Sequence, residues 1–146
     1  MFTESIHVKG NLEVILLDEN GHQKDYRKVK NLVVAVGKDT IASRMVGNTT
    51  AIMSHMAVGS SNTAATTSQT TLGTELGRVG LDSTSRAANT ITYVATFGAG
   101  TGTGSITEAG ILNASSSGNL LCLTVFGVVT KSASDTVIIT WNVTVA

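Results

Sequence analysis

Proline is missing from this chain altogether, cysteine occurs once, and the aromatic side chains are one Trp, two Tyr and three Phe. Without proline, any edge strand lacks a common guard against pairing with a second chain. The lone Cys122 sits in an apolar run, so it can form neither an internal disulfide nor a zinc site and reads as a small buried hydrophobe. So few aromatics leave little with which to line an open sugar groove. Ten Lys+Arg offset ten Asp+Glu. No net field therefore draws the protein toward nucleic acid or an anionic membrane, and neither is expected as a partner. The longest apolar run, Leu120–Val129, is interrupted by Thr124 and Gly127 and has about half the length of a bilayer-spanning helix. Met1–Lys9 lacks the basic start and apolar core of a signal peptide, so synthesis in the cytosol as a soluble protein is expected.

What the chain does contain is alternation. In Asp135–Val145, Val137, Ile139, Trp141, Val143 and Val145 interleave with Ile138, Thr140, Asn142 and Thr144. Strand side chains point to opposite faces with period two, so this is a half-buried strand with the Trp on its apolar side. Thr90–Phe97 repeats the pattern, and Leu120–Val129 is apolar enough to be covered on both faces. Ile6–Leu17 and His22–Val36 read as two strands joined by Asp18-Glu19-Asn20-Gly21, turn chemistry that ends in Asn-Gly. Asp39 is the expected N-cap of a helix over Thr40–Val46, with Ile41, Met45 and Val46 facing inward and Gly47 ending it. Ala51–Val58, Leu76–Leu81 and Ile106–Asn113 supply further strands. Gly59–Thr71 and Gly98–Gly104 read as loops, and Ser115–Gly118 as a hairpin turn. About eight short strands and one short helix predict an all-β chain of 146 residues in one domain, an antiparallel β-sandwich or jelly-roll-like barrel.

Half of the twenty charges lie within residues 1–30, leaving a Thr, Ser, Asn, Gly and Ala surface over the rest. Uncharged hydroxyl surfaces desolvate more easily than ion-rich ones, which suits close protein packing. The charged segment 1–30 is thus expected to form an arm or hairpin that reaches a neighbour, with Lys9, Lys24, Tyr26, Arg27 and Lys28 as interface candidates. The Gly59–Thr71 loop is a second candidate contact.

Catalytic chemistry finds little footing. The glycines of Gly98–Gly104 imitate a dinucleotide loop, but a strand-like segment follows where a helix N-terminus would be required. Gly37-Lys38 lacks the rest of a phosphate-binding loop. His7, His22 and His55 stand singly, without a second ligand at metal spacing. Glu75, Asp82 and Glu108 could pair as glycosidase carboxylates, although any ten acids would offer such a pair. Glu75, Arg78 and Glu108 lie in charge-poor segments, and the expectation is that Arg78 bridges one of the two glutamates between strands. No enzymatic activity and no cofactor are expected.

Met56-Ala-Val-Gly59, Thr71-Leu-Gly-Thr-Glu-Leu-Gly-Arg78-Val79, Phe97-Gly-Ala-Gly-Thr-Gly-Thr-Gly-Ser-Ile-Thr-Glu-Ala-Gly-Ile-Leu-Asn113 and Lys131–Val145 together resemble a recurring pattern in small virion proteins of tailed bacteriophages, over about residues 52–146. The resemblance implies a multi-copy structural protein without catalytic residues, first of all a capsid decoration (cement) protein on the outside of the shell. Its expected partners are itself, as a dimer or trimer, and the phage major capsid protein. The alternative it implies is a tail-fibre, baseplate or adaptor module in host attachment, bound to other tail proteins. In either case the expected location is the virion, the capsid surface before the tail, after synthesis in the host cytoplasm.

Overall fold

The computed structural model describes residues 4–48 and 50–146. It is an all-β sandwich with one helix. In chain order the strands are β1 (Val8–Leu17), β2 (Gln23–Lys30), β3 (Leu32–Val33), β4 (His55–Gly59), β5 (Glu75–Gly80), β6 (Ser83–Ala87), β7 (Thr90–Phe97), β8 (Gly104–Leu112), β9 (Leu120–Lys131) and β10 (Thr136–Val145), with helix α1 over Ala35–Met45. One five-stranded antiparallel sheet runs β2-β1-β10-β7-β6, and the second runs β3-β9-β8-β4-β5.

The alternation of β10 sets the first sheet. Trp141, Ile139 and Val137 lie opposite Leu12, Val14 and Leu16 of β1 on one side, and opposite Tyr93, Ala95 and Phe97 of β7 on the other. All nine are buried. They meet Met56, Val58, Ile106, Ala109 and Ile111 of the second sheet in one core. The opposite face of β10 and β7 is a hydroxyl and amide ladder: Thr92 Oγ1 donates to Asn142 Oδ1 at 2.7 Å, and the Thr90 and Thr144 hydroxyls are 2.9 Å apart.

The amino-terminal hairpin is therefore no free arm. β1 is an inner strand of its sheet, held on both sides by β2 and β10, although the first three residues of the expected arm lie outside the described residues. Asp135 anchors the hairpin further. Its buried carboxylate accepts from Lys24 Nζ at 2.8 Å and from the Ser132 backbone N–H and hydroxyl, which hold its pKa down to about 2.

The expected strand His22–Val36 breaks at Asn31, where the chain crosses from one sheet to the other. Asn31 Oδ1 accepts the Trp141 indole N–H at 2.9 Å, and Asn31 N–H donates to the Gly10 carbonyl at 3.0 Å. Gly10 is required there, because a Cβ would overlap the Asn31 side chain. The helix differs from expectation as well. It begins at Ala35, four residues before Asp39, and its N-cap Val34 makes no side-chain capping bond. The Ala35 N–H is satisfied instead by the Thr67 carbonyl at 2.8 Å, a tertiary contact. Its buried positions are Gly37 and Thr40, small residues that let the helix lie against the β9 backbone, while Met45 and Val46 point away from the core and Ile41 is half-buried.

A second, smaller apolar layer covers the outer side of the second sheet. Leu72 and Ala65 of the long 60–74 loop pack with Ala57, Leu112, Leu120 and Leu123. Leu120–Thr124 is accordingly buried on both faces, as expected for that half of the run, whereas Gly127 and Val128 are exposed.

Candidate docking interface

One end of the sandwich carries an apolar groove. α1 ends where Gly47 takes φ +76°, and the chain turns back along the helix. The returning segment is pinned by Arg44 Nη1, which donates to the Thr50 carbonyl at 2.9 Å, and by the Ser43 and Thr50 hydroxyls at 3.0 Å. That return sets Ile52 and Met53 facing Ile41 and Met45, with Val8, Ile91 and Val143 as the sheet wall. The groove has a volume of about 390 Å³. Tyr93 lies in its wall, and burial pushes the phenol pKa up to about 12.

Seven large apolar side chains are substantially exposed among the described residues, and four of them, Ile6, Met45, Ile52 and Val145, line this groove or the smaller depression that adjoins it. Met45 is 82% exposed and Ile52 63%. Scattered exposed hydrophobics are ordinary, but their clustering beside a preformed trough makes this a candidate contact surface. Besides the phenol of Tyr93, the ionisable groups lining groove and depression are Arg44, Lys38 and His7, with no Asp or Glu among the lining residues. The surface is thus an apolar trough with a cationic rim.

The interface candidates expected from sequence do not line the groove. Lys24 is committed to Asp135 within the chain. Arg27 makes a bidentate pair with Asp25 at 3.1 Å and also donates to the Val128 carbonyl, tying β2 to β9. Lys9, Tyr26 and Lys28 are exposed on the first sheet, away from the groove lining. The groove itself was not foreseen. Met45 and Val46, expected to face inward from the helix, are exposed, and Met45 lines the groove together with Ile52.

Glu108 and Arg78 also separate. Arg78 pairs with Glu75, three residues earlier in its own strand, at 2.7 Å, and gives its remaining donor to the carbonyls of Ala114 and Ser117 at 2.9 Å each. It therefore fastens the β8–β9 turn to β5 and does not bridge strands through a glutamate. Glu108 is buried under the 60–74 loop and accepts backbone N–H bonds from Ser61, Gly73 and Thr74 at 2.8, 2.7 and 2.9 Å. Both of its oxygens are spent on folding that loop. Asp82 Oδ2 accepts from the Thr96 hydroxyl at 2.6 Å. Among the described residues no group of three or more His, Cys, Asp or Glu is placed to hold a metal ion. No described helix is long and apolar enough to cross a membrane.

Fold and surface together define a class: a β-sandwich with a hydroxyl-rich sheet face and an apolar groove at one end. No protein-family model, curated protein or solved structure matches the chain.

Proposed function

We propose that this protein is a structural subunit of a tailed-bacteriophage particle, foremost a decoration protein that binds the outside of the capsid shell as a symmetric oligomer and stabilises it. The observation that carries the reading is the apolar groove with its cationic rim, on a molecule whose sheet face is hydroxyl-rich and whose sequence resembles small virion proteins. The groove takes an apolar segment of the major capsid protein flanked by acidic residues, the complement of Arg44 and Lys38. Burying Met45 and Ile52 in such a contact contributes about 1.5–3 kcal/mol each. Multiplied over an oligomer gripping several capsomers, contacts of that size hold by avidity. A ligand that binds the assembled lattice and not its separated subunits stabilises the lattice by mass action.

The test is occupancy of purified shells by wild-type protein and by the Met45→Asp/Ile52→Asp variant, with melting curves of both proteins. The reading expects wild type at a fixed stoichiometry to the capsid protein, and the folded variant lost from the shell. Full occupancy by the variant overturns the groove as the contact. Wild type found in a few copies on isolated tails, and absent from heads, overturns the shell assignment.

A further inference from the structure

Each sheet has two edges, and three of the four are obstructed. β2 carries Lys24, Lys28 and Lys30, and its ladder with β1 slips between Leu16 and Leu17. β3 is two residues long. The ladder of β5 is irregular at Val58/Gly59, and its Arg78 is occupied by the turn beyond β8. β6 differs from all of these. Its five residues, Ser83-Thr-Ser-Arg-Ala87, are all exposed, and its ladder with β7 is unbroken from Ser83↔Val94 to Ala87↔Thr90. It has no proline, no bulge and no lysine, so its outer row of backbone N–H and C=O groups is a ready template for another strand.

The charges on this edge are self-complementary. Asp82 just before β6 and Arg86 within it stand two residues either side of Thr84; in the single chain Asp82 Oδ2 accepts from the Thr96 hydroxyl and Arg86 Nη1 donates to the Ala88 carbonyl, which leaves Asp82 Oδ1 and the second Arg86 amino group for a neighbour. When two copies pair antiparallel about a two-fold axis through Thr84, Asp82 of each lies opposite Arg86 of the other, Ser83 lies opposite Ser85, and the two Thr84 residues face each other. Opposite charges and Thr–Thr pairs are favourable cross-strand neighbours, and no like charges stand directly opposite. A two-fold contact of this kind is closed, so it ends at a dimer and does not propagate into a fibre.

We propose that β6 is the homodimer edge of this protein, joining the first sheets of two copies into one ten-stranded sheet through a two-fold axis at Thr84. This deepens the self-association within the proposed function. Its test uses the isolated chain without shells, so its failure leaves shell binding through the groove standing, and the reverse. Five paired residues form a small contact, below the standard interface of about 1,200–2,000 Å², so a weak dimer is expected and its association is read at high protein concentration.

The experiment combines charge reversal with trapping. Asp82→Lys places Lys opposite Arg86, and Arg86→Glu places Glu opposite Asp82, twice per dimer in each case. Each variant alone is expected to weaken dimerisation in sedimentation equilibrium by about tenfold or more. An equimolar mixture of the two is expected to pair again, because both contacts become attractive in the mixed dimer. Thr84→Cys is expected to form a disulfide dimer under mild oxidation faster than the exposed loop control Thr63→Cys; the native Cys122 is buried and does not compete. Unchanged association of the single variants, no recovery on mixing, or trapping of Thr84→Cys no faster than the control overturns the assignment.

Discussion

Two buried carboxylates show how individual residues shape this molecule, each by accepting hydrogen bonds that only a folded chain can supply. Glu108 gathers three backbone N–H groups and so converts a polar, glycine-bearing segment into a fixed cover over the second sheet. In Glu108→Gln the amide NH₂ faces backbone donors, leaving at least one N–H without an acceptor; the expected loss is about 1–3 kcal/mol, read by denaturant unfolding. Asp135 acts on the other sheet and is sensitive to pH. Its pKa falls from 3.8 to about 2 on folding through Lys24 and Ser132. A depressed carboxylate pKa adds stability that is fully present above the unfolded value and disappears as pH falls through that window. Melting temperature measured between pH 5 and 2, for wild type and Asp135→Asn, is expected to show a steeper acid decline in wild type. Tyr93 works in the opposite sense. Its pKa rises from 10.0 to about 12 because the phenol is buried, so the fold favours the protonated form and stability falls as pH climbs from 10 toward 12. Tyr93→Phe is expected to flatten that alkaline decline.

Among the elements, α1 and β6 are the two whose sequences gave least warning. The helix was expected to bury its largest apolar residues, yet it buries Gly37 and Thr40. A Cβ at Gly37 would overlap the Leu121 carbonyl oxygen, so close approach to the β9 backbone decides which face turns inward. Gly37→Ala is therefore expected to destabilise the protein by about 1–3 kcal/mol, although alanine is the better helix former. A gain in thermal stability would contradict this account of the packing. The cost of that inward face is an outward one: Met45 is left beside Ile52 to build the groove. β6 is hidden in the sequence for a simpler reason. All five of its residues are exposed, so no apolar–polar alternation marks it as a strand. Its pairing with β7, through the Ala88-Asn89 turn with Ala88 at φ +52°, is what makes it one.

As a whole the molecule rests on one core shared by both sheets, with Trp141 fully buried at its centre and its indole satisfied by Asn31. Trp141→Ala removes both the packing and that bond, and a loss of about 3–5 kcal/mol is expected, a large share of the stability of an ordinary domain, read as a steep fall in melting temperature. Cys122 offers a reporter for the intact molecule. It is fully buried between the sheets, and burial pushes its thiol pKa up. Thiol reagents are thus expected to label it only at the rate of opening, and labelling at the rate of a free thiol in native buffer would show that the sandwich is looser than this packing. The molecule thus presents two distinct exposed features, an apolar groove at one end of the sandwich and a polar edge strand at β6.

The strands with strong alternation, β1, β7 and β10, were legible from residue order because period-two burial is local: each side chain needs only its own strand to know which way it points. The all-β class and the turn at Asn20-Gly21 followed from the same local rules. The long-range partners were not legible. That Glu108 would hold the 60–74 loop, that Arg78 would turn to the Ala114 and Ser117 carbonyls and that Thr67 would cap the helix all depend on segments brought together across tens of residues, and that Met45 and Ile52 would meet in the open depends on which face of α1 the sheet covers. Residue type states what a group requires, an acceptor, a donor or shelter from water. Only the packed chain decides which distant group supplies it, and which apolar side chains are left over for a neighbour.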